Sequence, residues 1–191
     1  MPLQLFISCV IASFLFNAPP TAVQQADQPH EMIMTADGLV AMDTPEGWQQ
    51  ADGPGLAFFL RKKDGAQNAP VFIYLSATPF GPNQESKTPE EVISSDISDF
   101  KQRFETGKIQ KSSDIDLPRT KSRATVYIFI SGQSHNSFEK IAYIAELDRV
   151  LIVCMSAKNE AAFRESDAAF LSFVKSYGGS ITETAKPTTK E

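Results

Sequence analysis

Three apolar runs follow one another at residues 124–131, 138–147 and 150–156, broken only by polar residues at 132–136 and by Asp148-Arg149. Runs rich in Val, Ile, Phe and Tyr with short polar breaks pair as neighbouring antiparallel strands. This stretch is therefore expected to form the core of a sheet. The same alternation occurs upstream. In 56–62, Leu56, Phe58 and Leu60 share one face while Ala57, Phe59 and Arg61 share the other. In 71–78, Val71, Ile73 and Leu75 alternate with Phe72, Tyr74 and Ser76, and apolar residues on both faces predict a central strand. A short strand at 39–43 precedes Thr44-Pro45-Glu46-Gly47, a turn that directs Trp48 toward one end of the core. Residues 108–117 read as a polar edge strand, with Lys108 and Lys111 discouraging pairing with other chains.

The period changes twice. From Thr88 the chain carries an N-cap, Pro89 at the first helical position, and Glu90 and Glu91 in the first turn. Ile93, Ile97, Phe100 and Phe104 then form one apolar stripe, with Gly107 as terminator. Asn159 caps a second helix running to about residue 176, whose face is Phe163, Phe170, Phe173, Val174 and Tyr177. Six to seven strands with two helices predict an α+β domain, an antiparallel sheet covered by helices as an α/β/α sandwich.

The chain divides into four parts. Residues 1–22 hold an apolar run ending in small residues and are expected to be a signal peptide, placing the protein in the periplasm or outside the cell. Residues 23–37 read as a polar linker in which Met32-Ile33-Met34 can add an edge strand. Residues 38–179 are the α+β domain, and residues 180–191 a disordered tail. No transmembrane span is expected in the mature chain. A net charge of −5 disfavours nucleic acid as a partner. Cys9 lies in the N-terminal apolar run, so removal of that segment leaves Cys154 alone in the most apolar strand, where it reads as a buried hydrophobe.

Candidate chemistry is sparse. The two histidines, His30 in the linker and His135 in the turn between two strands, have no second His or Cys at ligand spacing. No metal site and no cofactor are expected. A hydrolase built on His135 with Ser131, Ser134 or Ser137 is the alternative to a non-enzyme, but the nucleophile-elbow pattern Gly-x-Ser-x-Gly is missing. Gly53-Pro54-Gly55 is not a phosphate loop, because no Gly-Lys-Ser/Thr follows. Asp96 and Asp99 fall on the polar side of the first helix, and Asp114 and Asp116 alternate along the edge strand; both pairs read as solvated. No catalytic residue is assigned.

The order of elements, with Met42-Asp43-Thr44-Pro45-Glu46-Gly47-Trp48 at the domain start, resembles the PsbP-type fold. That group spans the photosystem II extrinsic subunit P, Mog-type proteins and bacterial DcrB-like exported proteins. The resemblance covers about 38–179 and implies a helix-clad antiparallel sheet with an accessory or binding role. The expected function is thus an exported, non-enzymatic binding or accessory module of the bacterial cell envelope, its partner another envelope protein. A small-ligand carrier, with a pocket between sheet and helix lined by Phe58, Phe72 or Phe104, is a further alternative.

Overall fold

The structure is a computed structural model and describes residues 32–35, 38–51, 58–62, 70–132 and 137–181. The expected signal peptide, most of the linker and tail, His30, His135 and the turns at 52–55 and 63–69 lie outside the described residues.

Strand β10 (Arg149–Ala157) is the spine of the molecule, buried at every position except Ser156. It pairs antiparallel with β5 (Val71–Pro79) on one side and β9 (Phe138–Ala145) on the other. β9 pairs in turn with β8 (Ser122–Ile130), so the three apolar runs lie side by side as expected. Outside β5 come β4 (Phe58–Lys62) and then β3 (Trp48–Gln50). At the opposite edge, β6 (Lys108–Lys111) and β7 (Ile115–Leu117) both pair with β8, end to end. The polar edge strand is therefore one segment interrupted at 112–114. The sheet is seven positions wide, in accord with the expected α+β class.

Residues of β10 alternate between two cores because successive side chains point to opposite faces. Leu151, Val153 and Met155 meet Phe170, Phe173 and Val174 of α2 (Glu160–Lys175). Val150, Ile152 and Cys154 meet Val92 and Phe100 of α1 (Pro89–Arg103) on the other face. Both helices start where the sequence places them. Thr88 Oγ1 accepts from the Glu91 amide at 3.3 Å, and Asn159 Oδ1 from the Ala162 amide at 2.9 Å. Trp48 is buried with the α2-side core.

A second sheet, which the sequence reading did not separate from the first, joins the two ends of the described chain. β1 (Met32–Thr35) pairs with β2 (Gly38–Ala41), and β2 pairs with β11 (Ser180–Ile181). Ile33, Val40 and Met42 bury their side chains in the α2-side core. Glu146, in the β9–β10 turn, secures this sheet. It accepts from Tyr177 Oη at 2.5 Å, from the Ser180 hydroxyl, and from Arg149 Nε at 2.7 Å.

Candidate functional site

Pairing register arranges the α1 face of the sheet in rows. Ser76, Ile152, Tyr143 and Thr125 form one row across β5, β10, β9 and β8; Tyr74, Cys154, Ile141 and Tyr127 form the next; Phe72, Ser156, Glu139 and Phe129 the third. Helix α1 lies over these rows. Asp96, Phe100 and Arg103 are spaced by four and three residues and so share a helix face. Between helix and sheet is a cleft of about 270 Å³, whose polar lining includes Tyr74, Ser76 and Glu139 from the sheet and Asp96, Asp99 and Arg103 from α1. Phe100 packs edge-on against Phe129, centroids 5.0 Å apart, and both border the cleft.

The carboxyl groups here are under electrostatic load. Burial raises the pKa of Asp96 above the ordinary carboxylate value, and repulsion from Asp99 adds to it; the hydrogen bond from Tyr143 and the Arg103 guanidinium act in the opposite direction. Burial likewise raises Glu139, against the opposing effects of Arg103 and of the Ser156 hydroxyl across the strand pair. Beneath the cleft, Tyr143 is 2% exposed. Burial raises the pKa of its hydroxyl, and the charge of the Asp96 carboxyl, to which that hydroxyl donates, raises it further. Burial also drives up the pKa of Tyr74 and of the Cys154 thiol, with Cys154 and Glu139 respectively as the next cause. Cys154 is therefore a neutral, enclosed thiol, as its apolar strand suggested.

This arrangement can accept hydrogen bonds and positive charge. Both raised carboxyls are shifted in the same direction, by burial before any other cause. Among the described residues no group of three or more His, Cys, Asp and Glu side chains converges as a metal site.

The sequence reading missed this site. Asp96 was assigned to a solvated face, but α1 turns it toward the sheet, half-buried; Asp99 is exposed at the cleft. The helical spacing of Asp96, Phe100 and Arg103 was the available signal. A pocket between sheet and helix does exist, but its aromatic lining is Tyr74, Phe100 and Phe129. Phe72 packs on Tyr74 at 6.1 Å and Phe104 on Phe100 at 4.9 Å, behind the lining rings; the side chain of Phe58 is outside the described residues. Of the serines near His135, Ser131 and Ser137 join their hydroxyls at 2.8 Å, and the Ser137 amide donates to Ser131 Oγ at 2.9 Å. These bonds fasten the ends of β8 and β9.

No family model and no curated protein matches the sequence. Solved structures do. The chain aligns with LpqN, described as involved in cell envelope biogenesis of Mycobacterium tuberculosis, at a TM-score of 0.50 and 12% identity, over 82% of this chain and 87% of that one. It also aligns with the cyanobacterial PsbP (CyanoP) of Synechocystis sp. PCC 6803, at a TM-score of 0.46 and 13% identity, over 84% of this chain and 98% of that one. The chain shares its α+β fold with LpqN. PsbP is the type that the sequence resembles; the expected class, an antiparallel sheet with a helix on each face, is observed. No helix among the described residues is long and apolar enough to cross a membrane.

Proposed function

We propose that the protein is an exported, non-enzymatic binding module of the bacterial cell envelope, and that it binds through the cleft beneath α1. One observation carries this reading. The cleft keeps two carboxyls in a setting that disfavours their charged forms, one of them joined to the buried Tyr143 hydroxyl beneath it. Groups held at such a cost to the fold fit an incoming ligand better than a purely structural role. The N-terminal apolar run supports export, and the fold shared with LpqN, a protein described as involved in cell envelope biogenesis, is in keeping with it. The sequence reading expects another envelope protein as partner. The cleft favours the small-ligand reading, because about 270 Å³ accommodates a compact molecule and little of a protein surface.

Expression of the full chain with cell fractionation, N-terminal mass analysis and native mass spectrometry tests the proposal. The expected result is a shortened chain in the envelope fraction carrying a co-purified small molecule, with the ligand lost in Asp96→Asn. An intact N-terminus in the cytoplasm would overturn the export reading. Turnover of any ester or phosphate substrate that Asp96→Asn abolishes would overturn the non-enzymatic one.

A further inference from the structure

The two helices hold the sheet unequally. Helix α2 buries Ala162, Ser166, Phe170, Phe173 and Val174 along its length, whereas α1 buries only Val92 and Phe100. Ile93, Ile97 and Phe104 pack against the same core half-buried. The turns from Asp96 to Arg103 border the cleft of about 270 Å³ rather than a filled core. An element with so little apolar burial opens locally at lower cost than the rest of its domain. Part of what fastens this stretch is polar, because the Tyr143 hydroxyl donates to the Asp96 carboxyl. Asp99 follows on the helix, Glu139 faces it from the sheet, and Arg103 is the one cation lining the cleft. That arginine is also engaged within α1, its Nε donating to the Asp99 backbone carbonyl at 3.4 Å and its guanidinium lying 5.8 Å over the Phe104 ring.

We propose that α1 is a pH-sensitive cover, closed on the sheet while Asp96 and Glu139 are protonated and lifting from the cleft as they ionise. Once ionised, Asp96, Asp99 and Glu139 set three negative charges against one positive charge, and each charge needs water that the closed cleft restricts. Lifting the helix admits that water. The hydrogen bond from Tyr143 and the charge of Arg103 work against the change at Asp96, as Arg103 and the Ser156 hydroxyl do at Glu139, but burial outweighs them in both. The closed state therefore holds protons that an open state with ordinary carboxylates has released. Closure is fully favoured below the ordinary carboxylate range, is lost as pH rises through the raised values, and then levels off. The titratable and charged groups facing the two acids are Asp99 and Arg103 from α1, Tyr143 from β9, Tyr74 from β5, Cys154 from β10, Tyr127 from β8 and, by register with Tyr127, Lys111 from β6. Tyrosine and thiol groups stay neutral throughout the acid range, which leaves the carboxyls to change charge. The role of this motion in admitting a ligand rests on the reading of the cleft as the binding site; the motion itself needs no ligand.

Hydrogen exchange of the full chain, followed amide by amide by NMR from about pH 4 to about pH 7 and corrected for the intrinsic chemical rate, tests this. Protection of the α1 amides should fall by about ten-fold relative to those of α2 and β10, the linkage from one carboxyl that binds its proton ten-fold more tightly in the closed state. The Asp96→Asn, Glu139→Gln double variant cannot ionise at either position and should keep α1 protected throughout. Asp116→Asn, on the exposed β7 pair with Arg123, should keep the wild-type pH dependence. Protection of α1 that does not change with pH in the wild type would overturn the proposal, and this profile decides alone if the double variant does not fold. An undiminished pH dependence in a folded double variant would overturn it too. Equal losses in α1, α2 and β10 would do the same, because the whole domain would then be loosening. If α1 opens with pH but no small molecule co-purifies with the chain, the switch stands and the reading of the cleft as a binding site fails.

Discussion

Lys140 Nζ reaches Asp167 Oδ1 at 2.5 Å, an ion pair spanning the junction between β9 and α2. The lysine is 8% exposed, its ammonium 5.5 Å from the centre of the Phe170 ring, whereas Asp167 keeps contact with solvent. Removing the acid alone leaves a buried cation without its counter-charge. Asp167→Ala is therefore expected to destabilise the domain by about 1–3 kcal/mol, below the fully buried case because solvent screens the aspartate. Lys140→Met removes charge and counter-charge demand together and should be close to neutral. Urea denaturation of both variants measures the contrast.

Glu139 gives a pH signature of opposite sign to an ordinary salt-bridged acid. Its folded pKa is raised from 4.5, so the folded chain keeps a proton that the unfolded chain has already released. From the ordinary carboxylate range up to that raised value, stability falls as pH increases, and the loss persists at neutral pH. Glu139→Gln cannot ionise and avoids the loss. Calorimetry should find it melting above wild type at about pH 7 and level with it at about pH 3.5, each kcal/mol gained appearing as about 2–4 °C.

Two glycines differ sharply in what a side chain would cost. A Cβ at Gly107 would stand 2.6 Å from Phe100 Cε1 and 2.9 Å from the Phe104 carbonyl oxygen, at the base of α1. Gly107→Ala must displace the helix end that carries Phe100, at about 1–3 kcal/mol. At Gly47, with φ +77°, nothing lies within 4 Å of such an atom. Gly47→Ala therefore bears only backbone strain, about 1 kcal/mol. Thermal melts of the two variants should rank in that order.

Tyr177 donates to Glu146 at 2.5 Å, and the same Glu146 oxygen accepts from Ser180. Tyr177→Phe deletes one bond to a charged acceptor and should cost about 1.5–3 kcal/mol. Because Ser180 begins β11, hydrogen exchange should quicken at the amides of β1 and β2 in this variant, ahead of those in β10. Uniform acceleration across both sheets would contradict that ordering.

The alternation of β5 and β8, the apolar run of β10 and the caps at Thr88 and Asn159 were legible because each is a local pattern that the fold merely executes. The second sheet was not. β1 and β11 are four and two residues long, and their pairing through β2 depends on distant segments meeting. Lys140 sits inside an apolar run, and its burial depends on Asp167, a residue of the helix packed on the same face that no spacing rule connects to it. The cleft escaped notice for a related reason. Asp96 reads as surface on a helix considered alone, and becomes half-buried only when register places Tyr143 and Glu139 beneath it.

Val40 lies opposite Ser180, and the Ala41 amide donates to the Gly179 carbonyl at 3.0 Å. The earliest described strands thus await a partner that leaves the ribosome only after β10 and α2. Until then their inward residues, Ile33 and Val40 among them, have no finished wall to complete. A nascent chain halted before that segment would carry an unsealed seam, and a domain whose first and last described strands meet through β2 is suited to rejoining as a circular permutant.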